Sequence, residues 1–148
     1  MIGSSARDIY RYHTLQLETD ASIKTCGGQR NKGNLQYTWT VKRNNLVVKG
    51  IPSESNNPGV YKLSPFQLQI NNVYYITITV LDQTSGISAS STTRINVLAG
   101  NLIASIAGVG TRSVDVGQVL TLDGSKSYDQ DFSLKTVLPT TTLFRWSC

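Results

Sequence analysis

Apolar and polar residues alternate one by one along much of this chain, and that alternation restricts the fold more than any other feature. In "VYYITITVLD", Tyr74, Ile76, Ile78 and Val80 fall on one side, with Thr77 and Thr79 on the other. The same period of two runs through Leu15 and Leu17 in "TLQLET" and through Leu35, Tyr37, Trp39 and Val41 in "LQYTWTV". It returns through Phe66, Leu68 and Ile70 in "PFQLQI" and through Thr93, Ile95 and Val97 in "TTRINVL". Successive side chains of a strand point to opposite faces, so each run predicts a strand with one buried and one wet face. Turn chemistry separates the runs: "CGGQRNKGN", "RNN", "SNNPG", "INN" and "DQTSG". No segment carries a sustained 3.6-residue apolar period, so almost no helix is expected. Many short strands between frequent turns predict an all-β sandwich. With 39% hydrophobic and 16% charged residues, the chain has the material for a core.

A second feature divides the chain. "LQLETDASIKTC", followed by "LQYTWTV", has a later counterpart in "LTLDGSKSYDQD", followed by "LFRWSC". Leu15-x-Leu17 matches Leu120-x-Leu122, Ala21-Ser22 matches Gly124-Ser125, and Tyr37-x-Trp39 matches Phe144-x-Trp146. Leu17 and Leu122 stand 105 residues apart, and Trp39 and Trp146 stand 107 apart. An internal repeat of that length predicts tandem sandwich modules. The first is expected over residues 1–98 and the opening half of a second over 99–148. An aromatic pair on one strand face is a core signature, so Tyr37 and Trp39 are expected inside the first module and Phe144 and Trp146 inside the second. Tyr74, at the head of its strand, is expected as a packing and corner residue.

At these residues the chain resembles a known class. "VGQVLTLDGSKSYDQD" with "LFRWSC" is similar to the first half of a polycystic kidney disease (PKD) repeat. It is also similar to modules of the receptor-for-egg-jelly (REJ) regions of polycystin-like proteins. "YYITITVLDQTSGISASSTTRINV" resembles the second half of such a module, and "LSPFQL" before it is in the REJ style. The resemblance implies immunoglobulin-like sandwiches with a buried Trp on the third strand. It also raises calcium as a ligand, because some PKD-like modules bind it. The first copy departs from the pattern, with "ETDASIKTC" where the acidic corner would stand.

Chemistry is sparse. The single His, His13, has no Ser or Cys partner in sequence, and none of the motifs GxSxG, SxxK or HExxH occurs. A non-enzymatic chain is expected. Asp123, Asp129 and Asp131 form the one acidic cluster. Hard cations take six to eight oxygens, and carboxylates two residues apart can share one ion, so these three are the candidate calcium ligands. An EF-hand does not fit, because Leu134 and Thr140 would stand where Gly and Glu belong. Turn-fixing is the competing reading, since Asp and Ser side chains accept backbone N–H groups in loops without a metal.

Charge is placed unevenly. Lys24, Arg30, Lys32, Lys42, Arg43, Lys49 and Lys62 share their span with one acid, Glu54. Lys42, Arg43 and Lys49 are therefore candidate contacts for an acidic polysaccharide, against the reading of plain solvated loop charge. No nucleic-acid motif accompanies them, since aromatics are not set among the basic residues. Ten Asn residues make no N-x-Ser/Thr sequon, while "LPTTTL" is a candidate tract for O-linked sugar. Cys26 and Cys148 lack metal spacing. They are free to bridge each other or to pair with residues elsewhere. No apolar run is long enough to span a bilayer, so an export signal or membrane anchor is expected only outside these residues. The whole reads as a fragment of an extracellular or cell-surface structural and adhesive protein. Its expected partners are further immunoglobulin-like modules, of the same chain or of neighbouring copies that donate a strand and build a filament, together with glycans.

Overall fold

The structure is a computed structural model and describes residues 6–24, 27–108, 110–111, 113–133 and 142–147. Cys26, Cys148 and most of "LPTTTL" lie outside the described residues. The chain divides into two compact units, Met1–Ala99 and Gly100–Cys148. The described residues form strands, turns and loops without a helix.

Unit 1 carries β1 (Ala6–Tyr10), β2 (Leu15–Glu18), β3 (Ile23–Lys24), β4 (Arg30–Asn31), β5 (Leu35–Arg43), β6 (Leu46–Val47), β7 (Val60–Leu63), β8 (Asn72–Asp82) and β9 (Ser88–Leu98). One sheet has the order β1-β9-β8-β5-β6, while β2-β7 and β3-β4 form two-stranded ladders. Every pair is antiparallel except β1 with β9, which run parallel from Ala6↔Arg94 to Tyr10↔Leu98. Period-two alternation decides what goes inside. Leu15, Leu17, Tyr61 and Leu63 from β2 and β7 join Val41, Tyr74, Ile76, Ile95 and Val97 of the large sheet in one buried cluster. Burying an aliphatic or aromatic side chain of this size stabilises by roughly 1.5–3 kcal/mol. This two-layer core is consistent with the expected sandwich. The β5–β6 hairpin turns at Asn44 and Asn45, whose φ angles of 51° and 63° belong to a type I′ turn.

"PFQLQI" is not the strand its alternation predicted. Phe66 has φ 68°, a left-handed conformation that interrupts an extended run. Its amide donates to the Arg11 carbonyl at 2.8 Å, and the Arg11 guanidinium lies over its ring, 5.9 Å from the centroid. The alternation is real but serves a loop, whose Leu68 plugs the core at 5% exposure. The Gln69 amide then donates to the Tyr74 hydroxyl at 3.1 Å, so Tyr74 is both buried and a corner that ties the loop to β8. Trp39 packs on the core beside Tyr61, ring centroids 5.4 Å apart, and donates from Nε1 to the Pro58 carbonyl at 2.9 Å. Tyr37 is half-buried.

Unit 2 contains β10 (Leu102–Ile103) antiparallel to β11 (Tyr128–Asp129). The strands expected at Leu120-x-Leu122 and Phe144-x-Trp146 do not form among the described residues. Phe144 and Trp146, expected as core, are 51% and 50% exposed. The physical reason is the missing second layer: no described sheet faces these side chains as β8 and β9 face β2 in unit 1. The two rings lie instead on Gly124, where an added Cβ would stand 3.1 Å from Phe144 Cε1 and 3.3 Å from Trp146 Cζ2.

Candidate functional site

The acidic corner of unit 2 is a polar knot. The Gly100 amide donates to both oxygens of Asp131, at 2.9 and 2.8 Å. Asp129 Oδ1 accepts the Asp131 amide at 2.9 Å, and Asp123 Oδ1 accepts the Ser125 amide at 2.8 Å. That amide bond, above all, holds the Asp123 carboxyl below its usual range. Buried Ser127 accepts from the Ser105 amide and donates to the Ser105 carbonyl, while the Asn101 amide donates to Gln130 Oε1. Corner and segment 100–107 are thereby sewn together. Among the described residues no group of three or more His, Cys, Asp or Glu is placed to hold a metal ion. Asp123, Asp129 and Asp131 are thus not gathered into a calcium cage; their oxygens serve backbone N–H groups.

The three basic candidates separate. Lys42 is exposed on the outer face of the large sheet. Arg43, one residue on, points to the other side and donates from Nη1 to Gln69 Oε1. Lys49 lies beyond β6 in a loop. Register places other side chains beside Lys42: Val47 on β6, Tyr75 on β8 and, through Tyr75, Arg94 on β9. Tyr75 is 41% exposed. The next two rows of the same face are hydroxyls, Thr40–Thr77–Thr92 and Thr38–Thr79–Ser90. Within them Thr77 and Thr92, and Thr79 and Ser90, share hydrogen bonds of 2.8 Å. The sequence held a signal for this face in the repeated Thr-x-Thr of "TWT" and "TIT", but register alone puts Tyr75 and Arg94 with Lys42.

Unit 1 also has a cavity of about 470 Å³ at the far end of its core. The large sheet is longer than β2 and β7, so half-buried Val80 and Leu35 extend past their cover and line the cavity floor beside buried Ile78. The segment from Thr19 to Lys24, with Arg30, makes the opposite wall, and Ser88–Ser91 the rim. Lys24 and Arg30 are cross-strand partners on the β3–β4 hairpin. Lys32 binds Asp20 at 2.6 Å, which holds the Asp20 carboxyl down and the Lys32 ammonium up. Asp82 at the turn accepts from the Ser85 hydroxyl at 2.6 Å and the Thr84 amide at 3.0 Å, and these bonds hold its carboxyl low.

Comparison with known families matches the family described as the REJ domain to residues 52–148. The matched segment starts between β6 and β7 and runs through unit 2. No curated protein and no solved structure matches the chain.

Proposed function

The chain belongs to the REJ domain family, and from that premise we propose that it is a non-enzymatic extracellular module that transmits tension and adheres to its neighbours. In this reading the sandwiches are immunoglobulin-like, of PKD type, and stand in tandem. Their partners are further modules of the same chain or of neighbouring copies, joined end to end or by an added strand. The observation that supports it is the parallel pairing of β1 with β9. The first and last strands of unit 1 lie side by side and point the same way. Tension on the leading end of β1 and the trailing end of β9 therefore shears the whole ladder at once. A pair pulled open from one end would instead lose its bonds singly. The Asn96 amide adds a side-chain tie, donating to Asp8 Oδ1 at 3.1 Å.

Single-molecule stretching across unit 1 tests this. Ile9→Pro breaks the β1–β9 ladder and lowers the unfolding force, while a disulfide between Asp8→Cys and Asn96→Cys, which are register partners, removes the first force peak. An unfolding force indifferent to both changes rules the tension reading out.

A second reading has its own observation, the outer row of Lys42, Tyr75 and Arg94 above two rows of hydroxyls. An exposed ring between two cations suits a sugar ring bearing an acid group. Retention on an anionic polysaccharide column at low salt, lost on reversing Lys42 and Arg94 but kept on reversing Lys49, is the expected result.

A further inference from the structure

We infer that the cavity of unit 1 receives an extended acidic peptide, which adds as a strand along Ser88–Thr92 of β9. This goes beyond the tension reading and does not rest on it. Three observations converge. The first is an edge that is unpaired among the described residues. β9 runs from Ser88 to Leu98, but β1 pairs with it only from Arg94 onward. Among the described residues, Ser88–Thr92 have β8 as their strand neighbour on one side and none on the other. Such an edge presents backbone donors and acceptors to an incoming strand. The second is the volume beside that edge. About 470 Å³ lies within the range of ligand clefts, and its floor, where Val80 and Leu35 are half-buried, accepts small apolar side chains.

The third is charge. Lys24 and Arg30 oppose each other across the hairpin, and like charges set directly opposite are destabilising. The acids that line the cavity are already engaged: Asp20 by Lys32, and Asp82 by Ser85 and Thr84. An arriving carboxylate would relieve the cationic pair. A strand laid on β9 sends alternate side chains into the cavity and the others to solvent. Apolar groups at the inward positions would meet the floor, and one inward Glu would face the Lys24–Arg30 wall.

The probe is N-acetyl-Thr-Val-Thr-Glu-Thr-Val-amide, titrated into the full chain labelled with nitrogen-15. Binding with a dissociation constant below about 1 mM is expected. Shift changes should centre on Ser88–Ser91, and exchange should slow at the alternate amides of that stretch that point away from β8. Replacing Glu by Lys in the peptide weakens binding about tenfold. Lys24→Glu with Arg30→Glu reverses that preference, and Ala89→Leu, which fills the cavity, abolishes binding of both peptides. The two peptides compare charge on the unaltered chain, so the test stands even if a variant misfolds. Equal binding of both, no shift at several millimolar peptide, or shifts elsewhere on the unit would each overturn the inference. So would protection, before peptide is added, of those Ser88–Ser91 amides that alternate with the ones bonded to β8 and point away from it. Equal protection by a sulfated hexasaccharide would assign the cavity to polysaccharide instead.

Discussion

Leu15-x-Leu17 and Leu120-x-Leu122 are the same pattern placed in two different situations. In unit 1 both leucines are 3% exposed, because β7 pairs beside them and β8 and β9 supply the facing layer. In unit 2 they are 51% and 42% exposed. The contrast repeats in the aromatics: Trp39 rests on the core and Trp146 is half-exposed. Alternation specifies which side of a segment is apolar. It does not supply the second surface, and without that surface neither burial nor the strand itself follows. Unit 2 holds its described residues together in another way, through side-chain oxygens that accept backbone amides.

The largest test of this contrast is truncation. Leu17→Ala should cost unit 1 about 2–5 kcal/mol, whereas Leu122→Ala should cost under about 1 kcal/mol. Denaturant melts followed by Trp39 fluorescence, with Trp146→Phe in the background, read the first; the reciprocal background reads the second. Equal losses would break the comparison. Alkali should also separate the units. Tyr61 is 1% exposed, burial pushes its hydroxyl up to about 12, and it donates to the Ile51 carbonyl at 2.6 Å. Because the folded value lies above the unfolded one, its stabilising share is whole below about pH 10 and is lost as the pH rises through about 12. About 2–3 kcal/mol of unit 1 stability should go in that window. Tyr61→Phe should flatten this fall, as measured by melts at stepped pH.

Asp131→Ala probes the other unit. It removes two charge-assisted bonds to the Gly100 amide, worth about 1.5–3 kcal/mol together, and should speed exchange of that amide at least tenfold. Unit 1 melts should be unmoved. The smallest effect is expected at the corner of unit 1. Tyr74→Phe keeps the buried ring but leaves the Gln69 amide unpaired, for a loss of about 1 kcal/mol. A loss as large as that of Leu17→Ala would mean that the loop, more than the two layers, holds the unit.

Sequence patterning made β2, β5, β8 and the second half of β9 legible, since each is half-buried and strictly alternating. It overreached at "PFQLQI", where a backbone conformation at Phe66 that no periodicity records turns the run into a loop. It missed β1, because "ARDIY" shows no alternation of its own and is a strand only through its pairing with β9. It also missed β7, four residues long. The turn-fixing role of Asp123 and Asp129 was readable from Asp-x-Ser and Asp-x-Asp spacing, whereas the Asp131 contact to Gly100 spans 31 residues and was not. The facing of Lys42 and Arg43 followed from period two, yet their neighbours Tyr75 and Arg94 depended on register. The cavity was invisible in sequence, because its walls come from segments nearly sixty residues apart along the chain, Thr19–Lys24 and Ile78–Ser91.

The pairing of β1 with β9 also sets a timetable on the ribosome. Asp8 and its tie Asn96 are 88 residues apart. At roughly 5–20 residues per second, β1 waits about 4–18 s for its partner to be made. Late in that wait β8, rich in Tyr, Ile and Val and complete at Asp82, has β5 on one flank and waits about 1–3 s more for β9 to reach Leu98 on the other, a span in which a nascent chain is open to chaperones or to wrong pairing. Closure is a late, long-range event, and it completes the large sheet at its last step.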